Sequence, residues 1–262
     1  MTKEQDNAVW TELGVRDPYW AVMSEDEFRH SNLDDAAKAE FFRFGREHLD
    51  EIWRDLQAAS GSETLRPSSA IDYGCGVGRI LIPLAERCEK ITGVDISPGM
   101  LDEAQSNAAA RHLENIRFEQ ADSFLSDDQA SFDLVHCFIV LQHIPPPVGR
   151  GIIAKLAERL TVGGVGMVHV TYEHTATWFT RLRFLLYRDV PGMHRLSNLV
   201  QRRNFPFVPM YEYDLNDIRQ LIRSKSCTIV SEKDTDHGFL GKMLFIRKEP
   251  ADDRNGGLGM GG

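Results

Sequence analysis

Residues 69–100 read SAIDYGCGVGRILIPLAERCEKITGVDISPGM. Ala70-Ile71-Asp72-Tyr73 is a short, mostly apolar run closed by a glycine cluster, which predicts a buried strand. Gly74, Gly76 and Gly78 alternate, and residues 79–85 continue with helical spacing. Glycine adopts positive φ without penalty and lets a ligand approach the backbone. Ile91-Thr92-Gly93-Val94-Asp95 is a second strand ending in a carboxylate, which can accept from two ribose hydroxyls. Ser97 is a good N-cap and Pro98 suits the first turn, so a helix follows. Strand, glycine turn, helix and acid-tipped strand together build a nucleoside pocket at the carboxyl edge of a parallel sheet.

The dinucleotide pattern G-x-G-x-x-G, begun at Gly74 and Gly76, requires a third glycine where Arg79 stands. Asp72, just before the turn, opposes a pyrophosphate but suits an ammonium group. Here the sequence resembles the class I S-adenosylmethionine (SAM)-dependent methyltransferases, whose first motif is similar to IDYGCGVG. A third strand at 116–120, followed by Ala121-Asp122-Ser123, keeps that family's order. The resemblance implies an α/β, Rossmann-like, seven-stranded and mainly parallel sheet with helices on both faces, and SAM as cofactor. It implies that Asp122 accepts from the adenine amino group while Ile96 and Met100 lie against the ring. The expected cofactor set is Asp72, Gly74, Gly76, Gly78, Arg79, Asp95, Ile96, Met100, Asp122 and Ser123, with Cys137 and Phe138 as wall. The bland alternatives are a ligand-free glycine turn, Asp95 and Asp122 as caps, and Ile96 and Met100 as core.

The chain has 262 residues, 42% of them hydrophobic, enough for one globular domain with excursions. Its net charge of −9 argues against non-specific nucleic-acid binding, which rests on cations neutralising phosphates. No apolar run approaches a membrane span, and MTKEQDNAVW has no apolar segment of a signal peptide, so a cytoplasmic protein is expected. Cys75, Cys88, Cys137 and Cys227 form no C-x-x-C pair, which predicts reduced thiols rather than disulfides or zinc. Asp236-His237 lacks accompanying ligands, so no metal is expected.

Three regions are expected: an N-terminal helical cap over 1–65, a methyltransferase domain over 66–248, and a disordered glycine-rich tail over 249–262. Within the cap, 34–59 has the pattern of an amphipathic helix. The resemblance implies that such N-terminal pieces fold over the SAM pocket, bringing Tyr19 and Trp20 to the cofactor. Packing of both on the outside of the core is the equal alternative. Downstream, a fourth strand and its exit occupy 131–141, and a helix after Pro145–Pro147 runs through Leu160 until Gly163-Gly164 stops it. A fifth strand spans 165–171, and a helix from Asn216 follows Asp214 as cap. Strands at 227–233 and 243–247 match the antiparallel hairpin that the resemblance implies at the sheet's end.

Residues 173–213 form an excursion too long for an ordinary connection. Between His174 and Tyr211 it sets six arginines, Arg181 and Arg195 among them, against one acid, Asp189. Read as a lid inserted after the fifth strand, it closes the open edge and grips an anionic group on the acceptor. Two alternatives are an apolar stripe at 176–190 in peripheral membrane contact, and packing on the core or a second subunit. The oligomeric state stays open.

Methyl transfer is an in-line displacement, for which a hydroxyl acceptor benefits from a base. His143, just past the fourth strand, is the first candidate, with Gln142 beside it; a turn-capping role is its alternative. His174 and Tyr172 at the end of the fifth strand come next, and Glu173 and His237 are expected on the acceptor's side. The acceptor is expected to be a small molecule, methylated on oxygen before nitrogen. The DPYWAV and MYEYDLNDI stretches resemble bacterial enzymes acting on saccharides or secondary metabolites. The rival readings are a nicotinamide-dependent oxidoreductase, which Arg79 opposes, and a SAM-binding partner protein without turnover.

Overall fold

The computed structural model describes residues 3–126, 130–175, 186 and 208–250. Strands β1 (Ser69–Tyr73), β2 (Lys90–Asp95), β3 (Ile116–Gln120), β4 (Phe132–Cys137), β5 (Leu160–His174), β6 (Cys227–Asp236) and β7 (Phe239–Lys248) form one sheet. Their order is β3-β2-β1-β4-β5-β7-β6. The first five run parallel, and β7 pairs antiparallel with both β5 and β6.

A sheet covered on both faces must send apolar side chains both ways along each strand. In β5, Val165 and Met167 enter one core while Val168 and Val170 enter the other. The second core takes Ile152, Ile153 and Leu156 of α7 (Pro146–Glu158) and Ile218 and Ile222 of α8 (Leu215–Ser224). The first takes Leu49, Ile52 and Leu56 of α3 (Asp35–Ser60), and Leu81, Leu84 and Ala85 of α4 (Leu81–Ala85). The two caps expected from the sequence, Ser97 and Asp214, are present, and Asp34 adds a third. Asp34 accepts from Ala37 N, Ser97 from Met100 N at the start of α5 (Pro98–Ala109), and Asp214 from Asn216 N and Asp217 N.

Two details differ from the sequence reading. Helix α7 ends at Glu158, and β5 begins at Leu160. Phe132 pairs with Leu160 but Leu134 with Val165, so Thr161 to Gly164 are looped out of register and Gly163 takes φ +82°. The paired glycines therefore serve a strand irregularity rather than a helix stop. Secondly, α3 is a layer of the sheet's own core, while α1 (Lys3–Arg16) and α2 (Pro18–Val22) cross the sheet edge.

Among the described residues no helix is long and apolar enough to cross a membrane, and the four cysteines are free. The expected lid with Arg181 and Arg195, the 176–190 stripe and the glycine-rich tail lie outside the described residues, apart from Leu186 and the few residues at their ends.

Candidate active site

Strand order reverses at β1, which has β2 on one side and β4 on the other, and the crevice opens at their carboxyl ends. Gly74, Gly76 and Gly78 take φ of 78°, 53° and 93°, the left-handed region where a side chain is strained. Gly74 N and Cys75 N both donate to Val94 O, at 2.7 and 2.9 Å, which ties the turn to β2. A Cβ on Gly74 would strike the Val140 side chain. Gly74 and Gly76 thus present bare backbone to a cavity.

Asp95, at the tip of β2, lies beside the turn and lines the same cavity. Its two oxygens accept from Gly76 N and Ser97 N, each at 2.9 Å. Burial pushes its carboxyl up to about 6, against the backbone N–H groups of Ser97, Gly76 and Ile96, which pull it down. Each oxygen keeps a further lone pair for a ligand hydroxyl. Ile96, Met100 and Leu125 give the cavity an apolar wall, and Asp122, in the first turn of α6 (Ala121–Ser126), stands at its rim.

Asp72, Arg79, Phe138 and His143 complete the expected residues that line this cavity. His143 is braced on both sides, with Nδ1 3.0 Å from Pro209 O and Nε2 3.1 Å from Gln142 Nε2. Burial lowers its pKa to about 4, so it is neutral; Nδ1–H donates to the carbonyl and Nε2 accepts from the amide. Gln142 itself is buried away from the cavity lining.

Several candidates sit elsewhere. Tyr19 is 2% exposed, packed on Phe41, with its hydroxyl 2.7 Å from Glu103 and 2.9 Å from Asn107. Trp20 lies under the Arg29 guanidinium. The cavity instead takes Ala21 and Val22 from α2 and Asn7 and Trp10 from α1. Trp10 meets His143 edge-on at 4.9 Å. Cys137 points into the second core, where burial raises its thiol, Ser123 is exposed on α6, and Gly78 turns inward beneath Ile82. Tyr172, Glu173 and His174 lie beyond the lining; the His174 ring rests on Phe239 at 4.1 Å. His237 also lies outside it, 6.1 Å from the Phe138 ring.

The sequence reading passed over His136. On β4 it is paired in register with Asp72, and its Nδ1 lies 2.7 Å from Asp72 Oδ1. The two residues are 1% and 3% exposed, and both line the cavity. Part of the signal was present in Val135-His136-Cys137: with its neighbours apolar and turned to the second core, His136 must face the first. Among the described residues no group of three His, Cys, Asp or Glu side chains could hold a metal.

Residues 70–164 match the model of a family described as a methyltransferase domain, and these residues carry the glycine turn, Asp95 and Asp122. These residues form a methyltransferase domain of the SAM-dependent class. The chain is 38% identical over 124 residues to a trans-aconitate 2-methyltransferase of Deinococcus radiodurans, covering 46% of this chain and 44% of that protein. It is 33% identical over 102 residues to a ubiquinone biosynthesis O-methyltransferase of Coxiella burnetii, covering 38% and 42%. The chain thus spans less than half the length of these curated relatives. In fold it resembles the magnesium protoporphyrin IX methyltransferase of Synechocystis solved with bound SAH. The TM-score is 0.62 at 20% identity, covering 95% of this chain and all of that one.

Proposed function

We propose that this methyltransferase moves a methyl group from SAM to an oxygen atom of a small molecule, a saccharide or a secondary metabolite. The observation that carries the reading is Asp95. It is a carboxylate fixed by two backbone N–H groups at the lip of a cavity, one of them from the left-handed glycine turn. A ribose diol fits it because each oxygen retains a lone pair, and the bare turn leaves room for an adenosyl group's path. Ile96, Met100 and Leu125 suit a purine face, and Asp122 suits its amino group. Asp72 and Arg79 suit the ammonium and carboxylate of the methionine end. When bound, SAM supplies a methyl carbon already activated by a positive sulfur.

The protein's part is to hold the acceptor in line and keep water out. Trp10, Val22, Phe138 and Val140 form the apolar surface that does so. An oxygen acceptor is favoured by the imidazoles near the cavity and by the O-methyltransferase among the relatives. The test is calorimetry with SAH and NADH, then a screen of sugars, phenols and carboxylic acids with methyl-labelled SAM. SAH binding with label recovered in an O-methyl product supports the proposal. NADH binding without SAH binding overturns it.

A further inference from the structure

The face of the sheet turned toward α3 is apolar until its carboxyl end, where it carries a polar row. Asp72 on β1, His136 on β4 and His169 on β5 are each 3% exposed or less. Phe138 stands among their rings, with His48 of α3 stacked on it at 4.1 Å and His169 edge-on at 5.1 Å. Burying polar groups in a core is costly unless they are satisfied, and here that is only half done: Asp72 holds His136 Nδ1 and Thr235 holds His169 Nε2. His136 Nε2, His48 Nε2, His169 Nδ1 and Arg79 Nε are buried without a hydrogen-bond partner. Of these residues, His136 and Arg79 line the cavity.

We propose that His136, oriented by Asp72, is the general base for a hydroxyl acceptor bound in this cavity. This rests on the SAM-dependent reading above. The geometry fixes the tautomer. Asp72 accepts from Nδ1–H, so Nε2 carries the lone pair and takes a proton from a hydroxyl. The hydroxyl's O–H bond breaks as N–H forms on His136. The freed oxygen pair makes the bond to the methyl carbon, the carbon–sulfur pair returns to sulfur and cancels its charge, and the imidazolium later releases its proton to water.

The neighbours leave this task to His136. From α3 and β5, His48 and His169 are held neutral, burial first lowering both to about 3, with the charge of His136 next for His48 and that of His237 next for His169. His237, from the turn between β6 and β7, is lowered as well, chiefly by burial. Asp72, 2.7 Å from Nδ1, gives the protonated form of His136 a counter-charge in direct contact. Arg79 keeps its proton although burial pushes it down to about 10. His143, by contrast, has both nitrogens engaged. A carboxylate acceptor has no proton for His136 to take, so the arrangement serves a hydroxyl.

The test uses 4-nitrophenol as the probe, titrated into SAH-saturated full-length protein and read by absorbance below the probe's solution pKa. Proton transfer to His136 is expected to move the bound phenol toward nitrophenolate by about tenfold relative to free probe. His136→Asn, whose amide still reaches Asp72, is expected to lose the phenolate band while binding SAH within about twofold of wild type. His136→Gln serves the same purpose if the first variant does not fold, and His143→Asn is expected to keep the band. No phenolate band in wild type, whether because the probe stays protonated or does not bind, overturns the proposal. So does a band that survives in the His136 variants. Failure of wild-type protein to bind SAH instead refutes the cofactor reading, which calorimetry shows separately.

Discussion

Replacing Asp95 by Asn separates what this residue does for the fold from what it does for the ligand. Moving the carboxyl from its ordinary 3.8 to about 6 corresponds to a burial cost of about 3 kcal/mol once it is ionised. The sign follows from the raised value. That cost is absent at low pH, grows as pH rises from about 4 to about 6, and is constant above. Asparagine removes this cost but keeps one acceptor for two backbone donors, losing about 1–3 kcal/mol. The two changes nearly cancel, so Tm at pH 7.5 is expected to move by no more than about 4 °C. Ligand affinity does not share in the cancellation. Loss of one charge-assisted hydrogen bond to the ribose diol, about 1.5–3 kcal/mol, raises the Kd for SAH roughly 10- to 150-fold. In wild type, protonating Asp95 below about pH 6 weakens SAH binding by up to about tenfold per pH unit, and the variant's affinity is flat over that range. Calorimetric titration of SAH at pH 5, 6 and 7.5 measures both. An Asn variant that binds like wild type, or a wild-type affinity independent of pH, would refute the assignment of Asp95 to the ribose.

Other substitutions probe the elements that shape the cavity. A Cβ on Gly45 would collide with the Arg79 carbonyl, so Gly45→Ala is expected to cost about 1–3 kcal/mol in denaturant unfolding and to weaken SAH binding by displacing the glycine turn. An unchanged midpoint would show that α3 can back away from the turn. Trp10→Ala removes an aromatic contact with His143 and part of the cavity wall. The expected loss of about 0.5–1.5 kcal/mol is a Kd for SAH up to about tenfold higher with little change in Tm. Tyr19→Phe deprives Glu103 and Asn107 of a buried partner and is expected to lower stability by about 1–3 kcal/mol while leaving SAH affinity near wild type. A large affinity loss there would return Tyr19 to the cofactor.

Motifs contiguous along the chain were legible in the sequence. The first two strands, the glycine turn, the Ser97 and Asp214 caps and the closing hairpin stand where residue order placed them. Each depends on backbone geometry or on neighbours within a few positions. Asp95 could be read because a strand tip in a parallel sheet has one place to point. The contribution of α1 could not be read: its polar sequence carries no stripe that says which surface it covers, and only its crossing of α5, with Gly14 against Ser97 and Met100, brings Trp10 to the cavity. Tyr19 and Trp20 sit beside the right element but on the wrong side of it, since in a helix of five residues adjacent side chains diverge.

By itself, the sequence determined the fold family, the left-handed turn and the acid that answers it, because these follow from glycine's lack of a side chain and from strand–helix order. The tertiary structure decided which of the two cavity-lining imidazoles has a free nitrogen. His143 and His136 differ little as letters in a chain. Their protonation chemistry is set by Pro209 and Gln142 in one case and by Asp72 in the other. The decisive pairing of His136 with Asp72 joins strands separated by more than sixty residues, and no local pattern encodes the register that brings them within hydrogen-bond distance.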